Sequence, residues 1–221
     1  MKMLEKLIVV VVLLAGTAAA SAAGEVSVGV KGGVITSNVT GIPEQWGDAQ
    51  DYRISFTGGV FLNYAFDDAL SLQPELLYTP KGFKGNLYDG FIDVDATPMI
   101  DFLELPVLVK YTFPGARLRP CIFAGPSLGF VVDSNLKISA GWLATNIDIS
   151  RFTNDTDFGI VAGAGLDYET SYGVLTFDAR YQRGFANIIE SAEFEINGSP
   201  QTITVDQFKH YGFSFMMGYR F

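Results

Sequence analysis

Three features of the 221-residue sequence predict an all-β fold: an eight-stranded antiparallel up-and-down transmembrane β-barrel. Strand-like blocks recur along the chain, separated by short and long gaps in strict alternation. Inside the blocks, apolar and polar residues alternate with a period of two, which points successive side chains to opposite faces of a sheet. Aromatic residues collect near the block ends and aliphatic ones between them. The gap pattern is that of a sheet with tight turns on one rim and extended loops on the other, here short periplasmic turns and four long extracellular loops.

The segment 1–22 is set apart from the barrel domain, 23–221. Lys2 and Lys6 precede a continuous apolar run, Leu7 to Leu14, and Ala20-Ser21-Ala22 is a small-x-small cleavage site, together the pattern of a secretory signal peptide. The apolar run is well short of the roughly 20 residues of a spanning helix. No cysteine follows the cleavage site, which argues against a lipoprotein.

Eight blocks follow, at about 25–36, 52–66, 69–82, 101–113, 118–132, 157–169, 173–186 and 208–221. Short gaps occur at Phe66-Asp67-Asp68-Ala69, at Phe113-Pro114-Gly115-Ala116-Arg117 and at Glu169-Thr170-Ser171-Tyr172-Gly173. Long gaps fall at 37–51, 83–100, 133–156 and 187–207. In the last block Tyr211, Phe213, Phe215, Met217, Tyr219 and Phe221 share one face, opposite His210, Gly212, Ser214, Met216, Gly218 and Arg220. The fourth, third and seventh blocks split likewise: Leu103, Leu105, Val107 and Val109 oppose Glu104 and Lys110, Leu72 and Leu76 oppose Gln73 and Glu75, and Phe177 opposes Asp178 and Arg180. Pro74, Pro106 and Pro126 interrupt this scheme, because each removes a ladder donor. Nearby bulges or strand ends would accommodate them.

Alternation alone also fits a soluble sandwich or barrel, in which the apolar face points inward. The height of the aromatics separates the two. Tyr64, Phe66, Tyr111, Phe113, Tyr168, Tyr172, Tyr219 and Phe221 gather at the short-turn rim, and Tyr52, Tyr78, Phe130, Phe158, Tyr181 and Tyr211 at the other. Such girdles around an aliphatic band suit a bilayer, and a soluble core has no reason to sort its aromatics by height. The twelve steps from Tyr52 to Tyr64 cover about 40 Å of strand, or about 30 Å of depth at the usual tilt.

The chain resembles the PorT-like outer-membrane β-barrel proteins of Gram-negative bacteria. The resemblance rests on Gln73-Pro74-Glu75-Leu76-Leu77-Tyr78, on the segment from Phe102 through Glu104-Leu105-Pro106 to Tyr111, on that from Arg119-Pro120-Cys121 through Gly125-Pro126 to Gly129, and on the closing Gly218-Tyr219-Arg220-Phe221. It covers nearly all of 23–221 and implies eight strands with both termini in the periplasm, an integral multi-pass protein of the cell outer membrane in contact with outer-membrane lipid. It implies little about activity, although some members are linked to protein secretion.

By parity the lumen receives Glu25, Lys31, Arg53, Glu75, Lys81, Glu104, Lys110, Arg119, Asp167, Asp178, Arg180, His210 and Arg220. An eight-stranded interior is just wide enough for side chains, so these charges are expected to form a paired plug, with Glu75, Glu104, Lys110 and Arg180 as its central ion-pair network. A narrow porin-like channel or a small-ligand cavity is the alternative, suggested by the inward Gly159, Gly163, Gly165, Gly212 and Gly218. A lipid-modifying enzyme is less favoured. His210 is the sole histidine, and Ser214, four residues on, lies roughly 13 Å along the strand. No catalytic residue, cofactor site or metal site is therefore assigned. Cys121 reads as a small buried hydrophobe. Asp89, Asp93 and Asp95 read as a solvated acidic loop, lacking EF-hand spacing. Tyr219 and Phe221 form a terminal signal suited to the barrel insertion machinery, which would recognise an edge strand through alternate side chains. Trp46 and Trp142, in long loops, are candidate anchors for a protein partner.

Net charge completes the reading. The chain carries 15 basic and 24 acidic residues, for a net charge of -9, which disfavours nucleic acid. The four long gaps hold three basic and thirteen acidic residues, so one rim carries the acidity while strands and short turns balance. A single cysteine excludes a disulfide framework.

Overall fold

The computed structural model describes residues 25–40, 50–88, 93–115, 117–140, 143–148, 155–186, 192–196, 199–203 and 209–221. The expected signal peptide, Trp46, Asp89 and Trp142 lie outside these residues. The strands are β1 (Glu25–Thr40), β2 (Gln50–Ala65), β3 (Leu70–Tyr88), β4 (Asp93–Thr112), β5 (Leu118–Ala140), β6 (Leu143–Asp148), β7 (Thr156–Thr170), β8 (Gly173–Gly184), β9 (Ala192–Ile196), β10 (Ser199–Ile203) and β11 (Lys209–Arg220).

Eight of them close into a barrel. Antiparallel pairing runs β1-β2-β3-β4-β5-β7-β8-β11 and returns to β1. At the closing seam Gly29 faces Arg220, Val34 faces Phe215 and Thr40 faces Lys209. Among the described residues closure pairs every barrel strand with a neighbour on each side, which is what allows a sheet to face lipid. Along β11, His210, Gly212, Ser214, Met216 and Gly218 are buried while Phe213, Phe215 and Met217 are exposed. The face rich in aromatic and aliphatic residues therefore points outward, and the polar face fills the interior, the reverse of a soluble barrel.

The short turns are held by their own side chains. Between β2 and β3, Asp67 Oδ1 accepts from the amides of Ala69 and Leu70, each at 2.8 Å. These two donors stabilise the carboxylate and hold its pKa below the ordinary value. Between β7 and β8, the Thr170 hydroxyl donates to the Gly173 carbonyl at 2.7 Å. At this rim three edge-to-face ring pairs recur at i, i+2, namely Tyr64–Phe66, Tyr111–Phe113 and Tyr219–Phe221, with centroids 4.9, 5.1 and 5.0 Å apart.

Two sequence expectations are corrected. Much of the long gaps is strand: β3 and β4 pair out to Tyr88 and Asp93, and β5 turns back on β6 from Asn135–Asp148 to Ala140–Leu143. Apolar alternation ends where lipid ends, but the backbone ladder continues into water. The prolines, in turn, are not excused by bulges. Register shifts fall between Tyr52 and Gly58 in the β2–β3 ladder and between Asp101 and Phe102 in the β4–β5 ladder. Across Pro74 the register is unchanged, with Phe61 opposite Glu75 and Tyr64 opposite Leu72. Pro74 faces Val107 and Pro106 faces Ser127, so with Pro126 one residue away the missing donors gather in one patch of wall. There β4 and β5 approach closely: a Cβ on Gly125 would lie 1.9 Å from the Val107 carbonyl oxygen.

Candidate functional site

The lumen is the site that this sequence builds. Its charged residues alternate with lipid-facing ones along the strands, and removing them from water requires partners for each. The structure arranges them in three clusters.

The central cluster crosses the barrel. Lys31 Nζ on β1 donates to Glu75 Oε1 on β3 at 2.7 Å and to Asp178 Oδ2 on β8 at 2.8 Å. Arg180 on β8 donates to Glu75 Oε2 at 2.7 Å and to Asp178 Oδ2 at 2.6 Å. Gln73 Nε2 donates to Glu75 Oε1 at 2.7 Å. Two cations and two carboxylates thus close a neutral ring. Aromatic faces cover both cations, with Lys31 Nζ 4.5 Å from the Phe61 centroid and Arg180 5.2 Å from that of Phe123.

Toward the short turns, Lys110 on β4 donates to both oxygens of Asp167 on β7, at 2.8 and 2.9 Å. Arg220 lies 3.8 Å from the same carboxylate, and Arg119 pairs with Glu169 at 2.5 Å nearer the rim. Toward the long connections, Lys81 pairs with Glu104 at 2.5 Å and also meets His210 Nε2. His210 Nδ1 is 3.2 Å from Asp157 Oδ2, and the Phe102 ring lies 5.9 Å from the imidazole.

Glu75 and Arg180 therefore sit in one cluster, whereas Glu104 and Lys110 belong to the two others. Lys31 and Asp178 complete the centre, and alternation marked both as inward without showing that they meet Glu75. Asp157 was missed as a lumen residue. It stands first in the block 157–169 and shares the parity of Gly159 and Gly163, which was the available signal. Of the remaining residues assigned inward by parity, Glu25 is exposed and Arg53 and Arg119 are half-buried.

His210 faces Lys81 and Asp157, and the Ser214 hydroxyl makes no hydrogen bond among the described residues. Cys121 is buried in an apolar cluster with Leu108, Phe123 and Val161. Phe221 is 68% exposed at the rim, its amide donating to the Val28 carbonyl at 2.8 Å. Asp93 and Asp95 belong to β4, but their side chains lie outside the described set. Among the described residues, no three His, Cys, Asp or Glu side chains converge as metal ligands.

A closed eight-strand barrel with an apolar exterior and a charged interior is the architecture of outer-membrane proteins. The family described as outer membrane protein beta-barrel domain matches residues 18–190. The chain belongs to this family.

Membership makes the protein an integral barrel of the bacterial outer membrane. No curated protein matches the sequence of this outer-membrane barrel. Among solved structures it is similar to the neisserial surface protein NspA, at 14% identity and a TM-score of 0.44, covering 89% of this chain and 99% of that one. It is similar to OprG of Pseudomonas aeruginosa at 15% identity and a TM-score of 0.47, covering 90% and 98%. The outer-membrane enzyme PagL matches at 12% identity and a TM-score of 0.38, covering 88% and 98%.

Proposed function

We propose that this protein is a non-conducting, non-enzymatic outer-membrane barrel that displays its long acidic connections at the cell surface. There it would serve a structural, adhesive or secretion-associated role by binding a protein partner. The observation carrying this reading is the ring of Lys31, Glu75, Arg180 and Asp178, which joins β1, β3 and β8 across the lumen. Four buried side chains meeting at hydrogen-bond distance occupy the path that an ion would take.

The secretion-associated role rests on the PorT-like resemblance and is therefore an analogy. The surface role rests on charge, since the acidic rim repels anionic head groups and favours a basic or cation-bridged partner. The contacts of His210 speak against hydrolysis, because both ring nitrogens face charged side chains rather than a hydroxyl nucleophile.

Planar-bilayer recording tests the plug. The native barrel should give no steady single-channel current, whereas the combined Lys31→Ala, Glu75→Ala and Arg180→Ala variant should conduct. Steady conductance by the native protein would favour the narrow channel instead. Comparing the secretome of a deletion strain with that of its parent tests the secretion-associated role.

A further inference from the structure

We infer that the barrel mouth at the short-turn rim is a binding site for a small organic cation carrying a protonated amine. The mouth holds a cavity of about 380 Å³, the size of a small-ligand site. It lies on the short-turn side of the Lys110–Asp167 pair and is separate from the central ring.

Charge selects the ligand class. Five carboxylates line the cavity, from Glu25, Asp67, Asp68, Asp167 and Glu169, against the guanidiniums of Arg119 and Arg220. Both guanidiniums already face acids of the wall, Arg119 meeting Glu169 and Arg220 meeting Asp167, and Lys110 holds Asp167 from the lumen side, so the excess rests on Glu25, Asp67 and Asp68. The surplus is negative, in a recess whose low-dielectric walls concentrate the field.

A second observation points to a ligand independently of charge. Asn63, on β2, lines the same cavity and is only 3% exposed, yet its Oδ1 has no hydrogen-bond partner among the described residues. A buried amide oxygen without a donor carries a desolvation cost that an incoming N–H group removes. The geometry favours an amine over a bare metal ion, because the carboxylates do not converge as a metal-ligand set among the described residues. An alkylammonium bonding to Asn63 Oδ1 shares the cavity with Asp68 of the exposed β2–β3 turn.

The test uses the full chain folded in lipid nanodiscs, with folding checked by heat-modifiable gel shift. Cadaverine, L-lysine and magnesium chloride are titrated separately at low salt while the amides of Ser27, Ser71 and Thr112 are followed by NMR. Both amines should shift these resonances saturably. Asn63→Leu should weaken binding about tenfold, the loss of a hydrogen bond to a charged group. Asp68→Asn, on the exposed turn and outside the barrel wall, should weaken it a few-fold and keeps the test decisive if Asn63→Leu does not fold. Failure of both amines to bind, binding unchanged in Asp68→Asn, or displacement of the amine by equimolar magnesium would overturn the inference.

Discussion

Lys31 Nζ lies 2.7 Å from Glu75 Oε1, with both side chains buried, although β2 separates their strands in the barrel wall. The contact passes over the inner face of β2 instead of along the sheet, so it braces the wall from within. Removing either partner strands a buried charge.

Glu75→Ala leaves Lys31 and Arg180 sharing only Asp178, and should destabilise the barrel by about 3–5 kcal/mol. Arg119→Ala removes a partly exposed rim pair and should cost no more than about 1 kcal/mol. Urea unfolding of each variant in lipid vesicles measures the difference. Equal costs would show that the central ring is no more important to stability than the rim.

Asp67 supplies a pH-dependent element at the β2–β3 turn. Its folded pKa is depressed, so its contribution is present above the unfolded pKa, about 4, and fades as pH falls through the lower folded value. An NMR titration of the Ala69 and Leu70 amides should show a midpoint below that of an exposed aspartate. Asp67→Ala should remove the transition and loosen the turn.

Deleting Phe221 should lower outer-membrane yield severalfold, and Tyr219→Ala combined with the deletion should lower it further, if the terminal aromatics are read during insertion. Membrane fractionation and the heat-modifiable gel shift report the outcome. Unchanged yield would leave Phe221 as a girdle residue packed on Tyr219.

Gly125→Ala should cost about 1–3 kcal/mol or prevent folding, because its Cβ would meet the Val107 carbonyl oxygen at 1.9 Å. Gly115→Ala, with nothing within 4 Å, should be neutral. Thermal or urea midpoints of the two variants provide the comparison.

Alternation in β11 and β8 made the closed barrel and its inward charges legible from sequence. Parity reports which face a side chain occupies, but not its height or its partner across the lumen. For that reason Glu104 and Lys110 were grouped with Glu75 although they stand at different heights along β4, opposite Leu77 and Ser71. Apolar periodicity also underestimated β3, β4 and β5, since it follows contact with lipid and not the hydrogen-bond ladder. The proline patch was unreadable for a different reason: only the register places Pro74 opposite Val107 and Pro106 opposite Ser127.

The central ring also ties closure of the wall to neutralisation of the lumen. Lys31 lies on β1, whereas its acidic partners stand 44 and 147 residues further along the chain, on β3 and β8. Burying an incompletely paired charge is costly, so the cation is satisfied only in a wall that brings early and late strands together. Closing the barrel and pairing its interior charges are thus one and the same condition.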